Sequence, residues 1–97
     1  MKTIDQPLEF DWDKGNIEKS LRHQILDQET EEVFFDEQKK TFKDKLHSGK
    51  EERFRVVGKT KEGKLLFVVF TVRKGKIRII SARIINKKEV YLYEEVT

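Results

Sequence analysis

The chain has 97 residues and no Cys, with seven Phe and one Trp among its 36% apolar side chains; this suits a single domain over residues 1–97, with 1–7 a flexible N-terminus, and excludes disulfides, thiolate metal sites and thiol nucleophiles. No apolar run nears the ~18 residues of a membrane span, and Met1–Pro7 lacks the apolar stretch of a signal peptide, so a soluble, cytoplasmic protein without membrane contact is expected. The net charge of +3 divides unevenly: residues 1–37 carry eleven acidic and four basic side chains, net −7, whereas residues 38–97 carry seven acidic and seventeen basic, net +10. Such polarity gives one surface that attracts polyanions and another that repels them or attracts a basic partner.

Leu8–Trp12 (LEFDW) alternates apolar and acidic residues as a half-buried edge strand does, with Leu8, Phe10 and Trp12 on one face. Asp13 is placed to cap a helix running to about His23, in which Ile17 and Leu21 lie one turn apart. Asp27 reads as the N-cap of a second helix to about Asp36, with Thr30, Val33 and Phe34 on its apolar face. Its acidic first turns suit the positive end of the helix dipole. Thr41–Lys43 reads as a short strand, and Asp44–Glu51 (DKLHSGKE) as an exposed loop broken at Ser48-Gly49.

Three strands follow, about Glu52–Lys59, Lys64–Arg73 and Lys76–Ile84. Tight turns join them at Glu62-Gly63 and Lys74-Gly75, where Gly supplies positive φ at little cost. The almost continuous apolar run Leu65–Val72 suits a central strand covered on part of both faces. Asn86, with Glu89 three residues on as its reciprocal partner, begins a last helix that turns Val90 and Tyr93 inward. The expected fold is α+β: two N-terminal helices after an edge strand, a four-stranded antiparallel meander and a C-terminal helix, with the helices mostly on one face.

Five motifs follow one another along this chain: FDWD at Phe10–Asp13, the pair Arg22-His23, VFFD at Val33–Asp36, HSGKEERF at His47–Phe54 and RIISAR at Arg78–Arg83. Taken together, and over about Leu8 to Glu95, they resemble the BrnT toxin family. That resemblance implies a RelE-like fold and an endoribonuclease toxin of a type II toxin–antitoxin pair, one that cleaves RNA without metal or cofactor and arrests translation. It also implies a partner, a BrnA-like ribbon-helix-helix antitoxin through which DNA is contacted only indirectly. Two departures stand out. The family's usual Lys-His-Gly is here Arg22-His23-Gln24, and its final helix is usually more basic than Val90–Glu95 (VYLYEE).

Such a nuclease must deprotonate a ribose 2′-hydroxyl, neutralise the charge of the phosphorane and protonate the departing 5′-oxygen. Arg suits the second task, because its planar fork binds phosphate oxygens bidentately and its charge does not titrate near neutrality. Arg53, Arg55, Arg73, Arg78 and Arg83 lie on or beside the expected sheet. Arg83, which ends the RIISAR strand, and Arg53 are assigned to phosphate charge; the alternative for each is a structural ion pair with the acidic helices. For proton transfer His47, in the basic loop, ranks above His23, whose place also suits capping a carbonyl or packing on Trp12. Toxins of RelE-like fold often use Lys, Arg, Glu or Tyr instead of His, which adds Lys50, Glu52 and Tyr93.

Lys39, Lys40, Lys43, Lys45 and Lys50 fall within twelve residues and suit an RNA backbone, as do Arg55, Arg73 and Arg78. Phe42, Trp12 and Tyr93 are candidate base-stacking residues, although Phe42 and Trp12 also fit the core. Ser81 reads as a phosphate ligand or an orienting partner of Arg83, or else as satisfying local backbone. The scattered single glycines form no phosphate loop, and the adjacent pairs Glu31-Glu32 and Glu94-Glu95 diverge by ~100° on a helix, so no metal cage is expected. The alternative to catalysis is a non-catalytic RNA-binding or antitoxin-binding module on the same scaffold.

Overall fold

The computed structural model describes residues 9–16, 24–44, 49 and 51–94. Its sheet has four antiparallel strands in sequential order, β1 (Lys40–Asp44), β2 (Arg53–Lys59), β3 (Leu65–Arg73) and β4 (Lys76–Ile84). A helix, α1 (Asp27–Val33), precedes them and a 3₁₀ helix (Lys87–Leu92) follows. The meander expected from the two glycine turns is therefore present. At Lys74-Gly75 both residues have positive φ (51° and 78°), the two-residue hairpin geometry whose twist matches the flanking strands. The β2–β3 connection is longer than a tight turn. It spans residues 60–64 and is closed by the Thr60 N–H donating to the Lys64 carbonyl (2.8 Å), with Gly63 at φ 90°.

The N-terminal edge strand contracts to a single parallel bridge between Phe10 and Ile77. The Ile77 N–H donates to the Glu9 carbonyl and the Asp11 N–H to the Ile77 carbonyl, both at 2.8 Å. Pairing stops there because Asp13 turns the chain at once into a helix start. Its carboxylate accepts the Gly15 N–H (2.9 Å), and its own N–H donates to Asn16 Oδ1 (2.7 Å), a reciprocal cap. Leu8 and the body of the expected helix, residues 17–23, lie outside the described residues.

Helix α1 begins one residue earlier than the sequence suggests, with Leu26 as N-cap. Glu29 reaches back to accept the Leu26 N–H (3.0 Å), while the Asp27 carboxylate accepts the Gln28 N–H. The helix also stops at Val33 rather than Asp36, because residues 34–36 close tighter turns onto Glu31, Glu32 and Val33. Gly58 on β2 admits this helix end. A Cβ there would lie 2.8 Å from Val33 Cγ1 and 3.0 Å from the Val33 carbonyl oxygen.

The core lies between α1 and one sheet face. Val33, Phe34, Val56, Leu66, Val68, Phe70, Ile77, Ile79 and Ala82 are buried in it, and Phe10, Trp12 and Phe54 pack against it. Phe10, Phe34 and Phe70 form an edge-to-face series with centroids 5.4 and 5.0 Å apart, the favoured aromatic geometry. The last helix is 3₁₀ rather than α. The segment is pinned near both ends: Glu89 to Arg83, and Tyr93 to Asp36.

Candidate nucleic-acid interface

Strand alternation assigns every strand side chain to one of two faces. The register places Phe54, Val56, Leu66, Val68, Phe70, Ile77, Ile79 and Ala82 toward the helix. The other face receives Lys40 from β1, Arg53, Arg55 and Lys59 from β2, Arg73 from β3, and Lys76, Arg78 and Arg83 from β4. Of the nine cationic residues in the strands only Lys43 falls on the helix side. A bulge makes this possible: Val69 pairs with Ser81 and Phe70 with Ile79, leaving Ile80 unopposed. The extra residue reverses the alternation of β4, so Arg83 joins Arg78 instead of pointing into the core.

Two arginine groups stand at opposite ends of this face. Arg53, Arg73 and Arg78 line a cleft of about 270 Å³ with Glu51, Thr71 and Asn16. Arg73 holds Glu51 through Nε (2.6 Å) and Nη2 (2.8 Å), and Arg78 lies 2.9 Å from Asp13 and 3.6 Å from Asp11. At the other end Arg83 grips Glu89 with both guanidinium nitrogens, each at 2.7 Å, and stacks 4.4 Å over the Phe67 ring. Hydrogen bonding from Arg83, then the Asn86 N–H and the charges of Arg83 and Arg55, hold the Glu89 carboxyl below its ordinary value against the opposing effect of burial. Arg55 lies on the same face, and its Nε is buried without a hydrogen-bond acceptor.

The other assigned residues divide. Ser81 shares the cationic face, opposite Val69. Phe42 does too, beside Arg55 in register. Lys43 and Glu52 pair with each other at 3.6 Å, and Lys43 belongs to the helix side. Lys39 also turns that way, since its Cβ lies 3.3 Å from where a Cβ on Gly58 would stand. Trp12 is partly buried against the core and donates from Nε1 to Glu31 (2.8 Å), which leaves little of it for stacking. His47, Lys45, Lys50 and His23 lie outside the described residues.

Tyr93 anchors the C-terminal turn. Its hydroxyl donates to Asp36 Oδ2 at 2.7 Å; burial, that bond and the Asp36 charge push its pKa up to about 12. Asp36 is opposed by burial but receives the Lys59 N–H (2.8 Å), the Tyr93 hydroxyl and the Gln38 N–H (3.0 Å), and its carboxyl ends below the ordinary value. Sequence patterning missed this clamp, although the VFFD motif contains it. The acidic half of the chain is largely used within the fold. Glu29 pairs with Lys64 at 2.7 Å, and Glu32 accepts the Lys61 N–H. A groove of about 830 Å³ on this side is lined by Glu31, Glu32, Glu37, Phe35 and two lysines, the wrong charge for RNA.

Among the described residues no helix is long and apolar enough to cross a membrane. Fold and site together define a small α+β protein with one sheet face packed on its helix and the other carrying eight cationic side chains around buried Val57, Phe67 and Asp44. Residues 12–89 match the family described as the ribonuclease toxin, BrnT, of type II toxin-antitoxin systems, and the chain belongs to that family. Membership makes it a ribonuclease toxin, with RNA as substrate and an antitoxin as partner. No curated protein matches the chain. The matched span includes Asp36, Arg83 and Glu89 but ends before Tyr93, so the gripped arginine falls within the family region and the clamp only through Asp36.

Proposed function

We propose that this toxin is an endoribonuclease of RelE-like architecture that cleaves cytoplasmic RNA by attack of a ribose 2′-hydroxyl, without metal, and so arrests translation. The observation that carries the reading is the segregation of eight strand cations onto the face that α1 leaves uncovered. Arg83 binds the scissile phosphate and neutralises the charge that develops on it, whereas Arg53, at the opposite end of the face, is too far to share that phosphate and holds another along the backbone. Lys40, Arg55, Arg73, Arg78 and Ser81 hold the flanking backbone, and Phe42 offers a stacking surface beside Arg55. His47 and Lys50 remain the proton-transfer candidates, whereas Glu52, paired with Lys43 on the helix side, is set apart from this face. The hydroxyl of Tyr93 is committed to Asp36, which favours an anchoring role over an acid–base one. A dimeric ribbon-helix-helix antitoxin of the BrnA kind covers the cationic face and supplies the contact with DNA.

A second reading keeps the face but removes the chemistry. It is favoured by the ion pairs that hold Arg73, Arg78 and Arg83 to Glu51, Asp13 and Glu89, which suit a rigid RNA-binding module. Induced expression of the wild type beside Arg83→Ala and Arg53→Ala tests the assignment. Arrest by the wild type and relief in both variants, at equal soluble levels, is the expected result. Equal arrest from all three removes the site, and no arrest from the wild type contradicts the toxic activity.

A further inference from the structure

Arg83 does not present an open guanidinium. Its two terminal nitrogens meet the two oxygens of Glu89 at 2.7 Å each, the parallel two-bond geometry with which a guanidinium also binds a phosphate. The ring of Phe67, its register partner on β3, lies 4.4 Å beneath and fixes the plane of the fork. The pair is not sealed in the interior, since the Arg83 side chain is 36% exposed and that of Glu89 21%. Glu89 belongs to the six-residue 3₁₀ helix, whose far end is held separately by Tyr93 and Asp36. Nearby on the same face stands Arg55, with a buried Nε that has no acceptor.

We propose that the place held by the Glu89 carboxylate is a phosphate subsite, in which Glu89 stands in for a backbone phosphodiester that displaces it and binds the Arg83 fork. The inference rests on the reading of this face as the RNA surface. A phosphodiester presents two non-bridging oxygens at the spacing the fork already accepts. Displacement rotates the Glu89 side chain toward solvent and releases its bond from the Asn86 N–H, while the Tyr93 anchor holds the far end of the helix. Until RNA arrives, Glu89 keeps Arg83 aimed and shields it from other anions. An intramolecular carboxylate thus competes with substrate, and its removal strengthens RNA binding.

The test is fluorescence anisotropy with the full chain and a short single-stranded RNA carrying 2′-O-methyl groups throughout, which binds but cannot be cut by 2′-hydroxyl attack. Glu89→Gln keeps the side-chain length and the Asn86 contact. It is expected to tighten binding about two- to fivefold at low salt, the scale of one surface ion pair. Glu94→Gln, the same change of charge at the helix end, gives a smaller gain, and Glu89→Gln gives none in an Arg83→Ala background. Equal gains from the two glutamate variants, or unchanged or weaker binding by Glu89→Gln with a wild-type melting curve, overturn the proposal. If Glu89→Gln does not fold, Glu89→Asp decides, since a shorter carboxylate loosens its hold on Arg83: a gain in RNA binding is expected, and unchanged or weaker binding overturns the subsite. Ordinary RNA separates this inference from the functional reading. Wild-type cleavage without a Glu89→Gln gain sinks the subsite alone, and a gain without cleavage sinks the nuclease alone.

Discussion

Asp36→Asn isolates the clamp on which the C-terminal turn depends. Oδ2 accepts the Lys59 N–H (2.8 Å) and the Tyr93 hydroxyl (2.7 Å), and Oδ1 accepts the Gln38 N–H (3.0 Å). Asparagine can retain the Gln38 bond, but its NH2 would then oppose the Lys59 N–H and leave the Tyr93 hydroxyl at best a neutral bond, accepted rather than donated. Hydrogen bonds to an ionised group contribute about 1.5–3 kcal/mol when shielded and less where water replaces the partner. The Tyr93 bond is partly buried and the Lys59 bond exposed, so the expected loss is about 2–3 kcal/mol. For a domain of this length that lowers Tm by roughly 10–20 °C. Circular dichroism during heating and in urea measures it. Tyr93→Phe alone should cost about 1 kcal/mol and almost nothing further in the Asp36→Asn background, because both remove one shared bond. Additive losses, or an Asp36→Asn protein melting within about 2 °C of wild type, would refute the clamp.

Gly58→Ala drives a methyl against the Val33 carbonyl oxygen, which cannot yield as a side chain would; we expect a loss of about 1–3 kcal/mol in urea unfolding. Gln24 sits at φ 59°, a conformation that favours glycine, so Gln24→Gly should stabilise by about 0.5–1 kcal/mol, the steric relief less the added chain entropy. Stability should also fall at both extremes of pH. Asp36, Glu29 and Glu89 titrate lower in the folded state than in the unfolded chain, so their contribution is complete above the ordinary carboxylate range and fades as pH falls through the folded values. Tyr93 titrates higher, at about 12 from 10.0, so its contribution is complete below pH 10 and is lost as pH rises toward 12. Urea midpoints across pH check both limbs, and Tyr93→Phe should flatten the alkaline one.

The meander was legible because its signals are local. Alternation, the apolar run of β3 and glycine in each connection bound the strands to within a residue or so. The site was less so. Strict alternation from Ile77 puts Arg83 on the core side with Ile79, and only the bulge at Ile80 moves it to the cationic face. The sequence holds a trace of that change, since the apolar residues of β4 pass from odd positions (Ile77, Ile79) to even ones (Ala82, Ile84). The division of charge was visible, but not its use: Arg78 meets Asp13 across 65 residues and Lys64 meets Glu29 across 35, pairings no local pattern encodes. Glu89 was legible as a capping residue and does accept the Asn86 N–H (3.1 Å). Its grip on Arg83 depends on the turn between strand and 3₁₀ helix, which positions the carboxylate over the sheet. Asp36 was similarly hidden, a motif residue whose donors come from β2 and from the far end of the chain.

Cleavage of single-stranded RNA by the purified chain in the presence of EDTA, with products resolved by end chemistry, tests the central claim most directly. The account predicts fragments ending in 2′,3′-cyclic phosphate, formed by the wild type with or without chelator. Folded Arg83→Ala protein should be slower by about 10²–10³-fold, the usual cost of removing one donor to developing charge. RNA left intact by folded wild-type protein at high concentration, with and without ribosomes, or an Arg83→Ala variant that cuts at the wild-type rate, would contradict it.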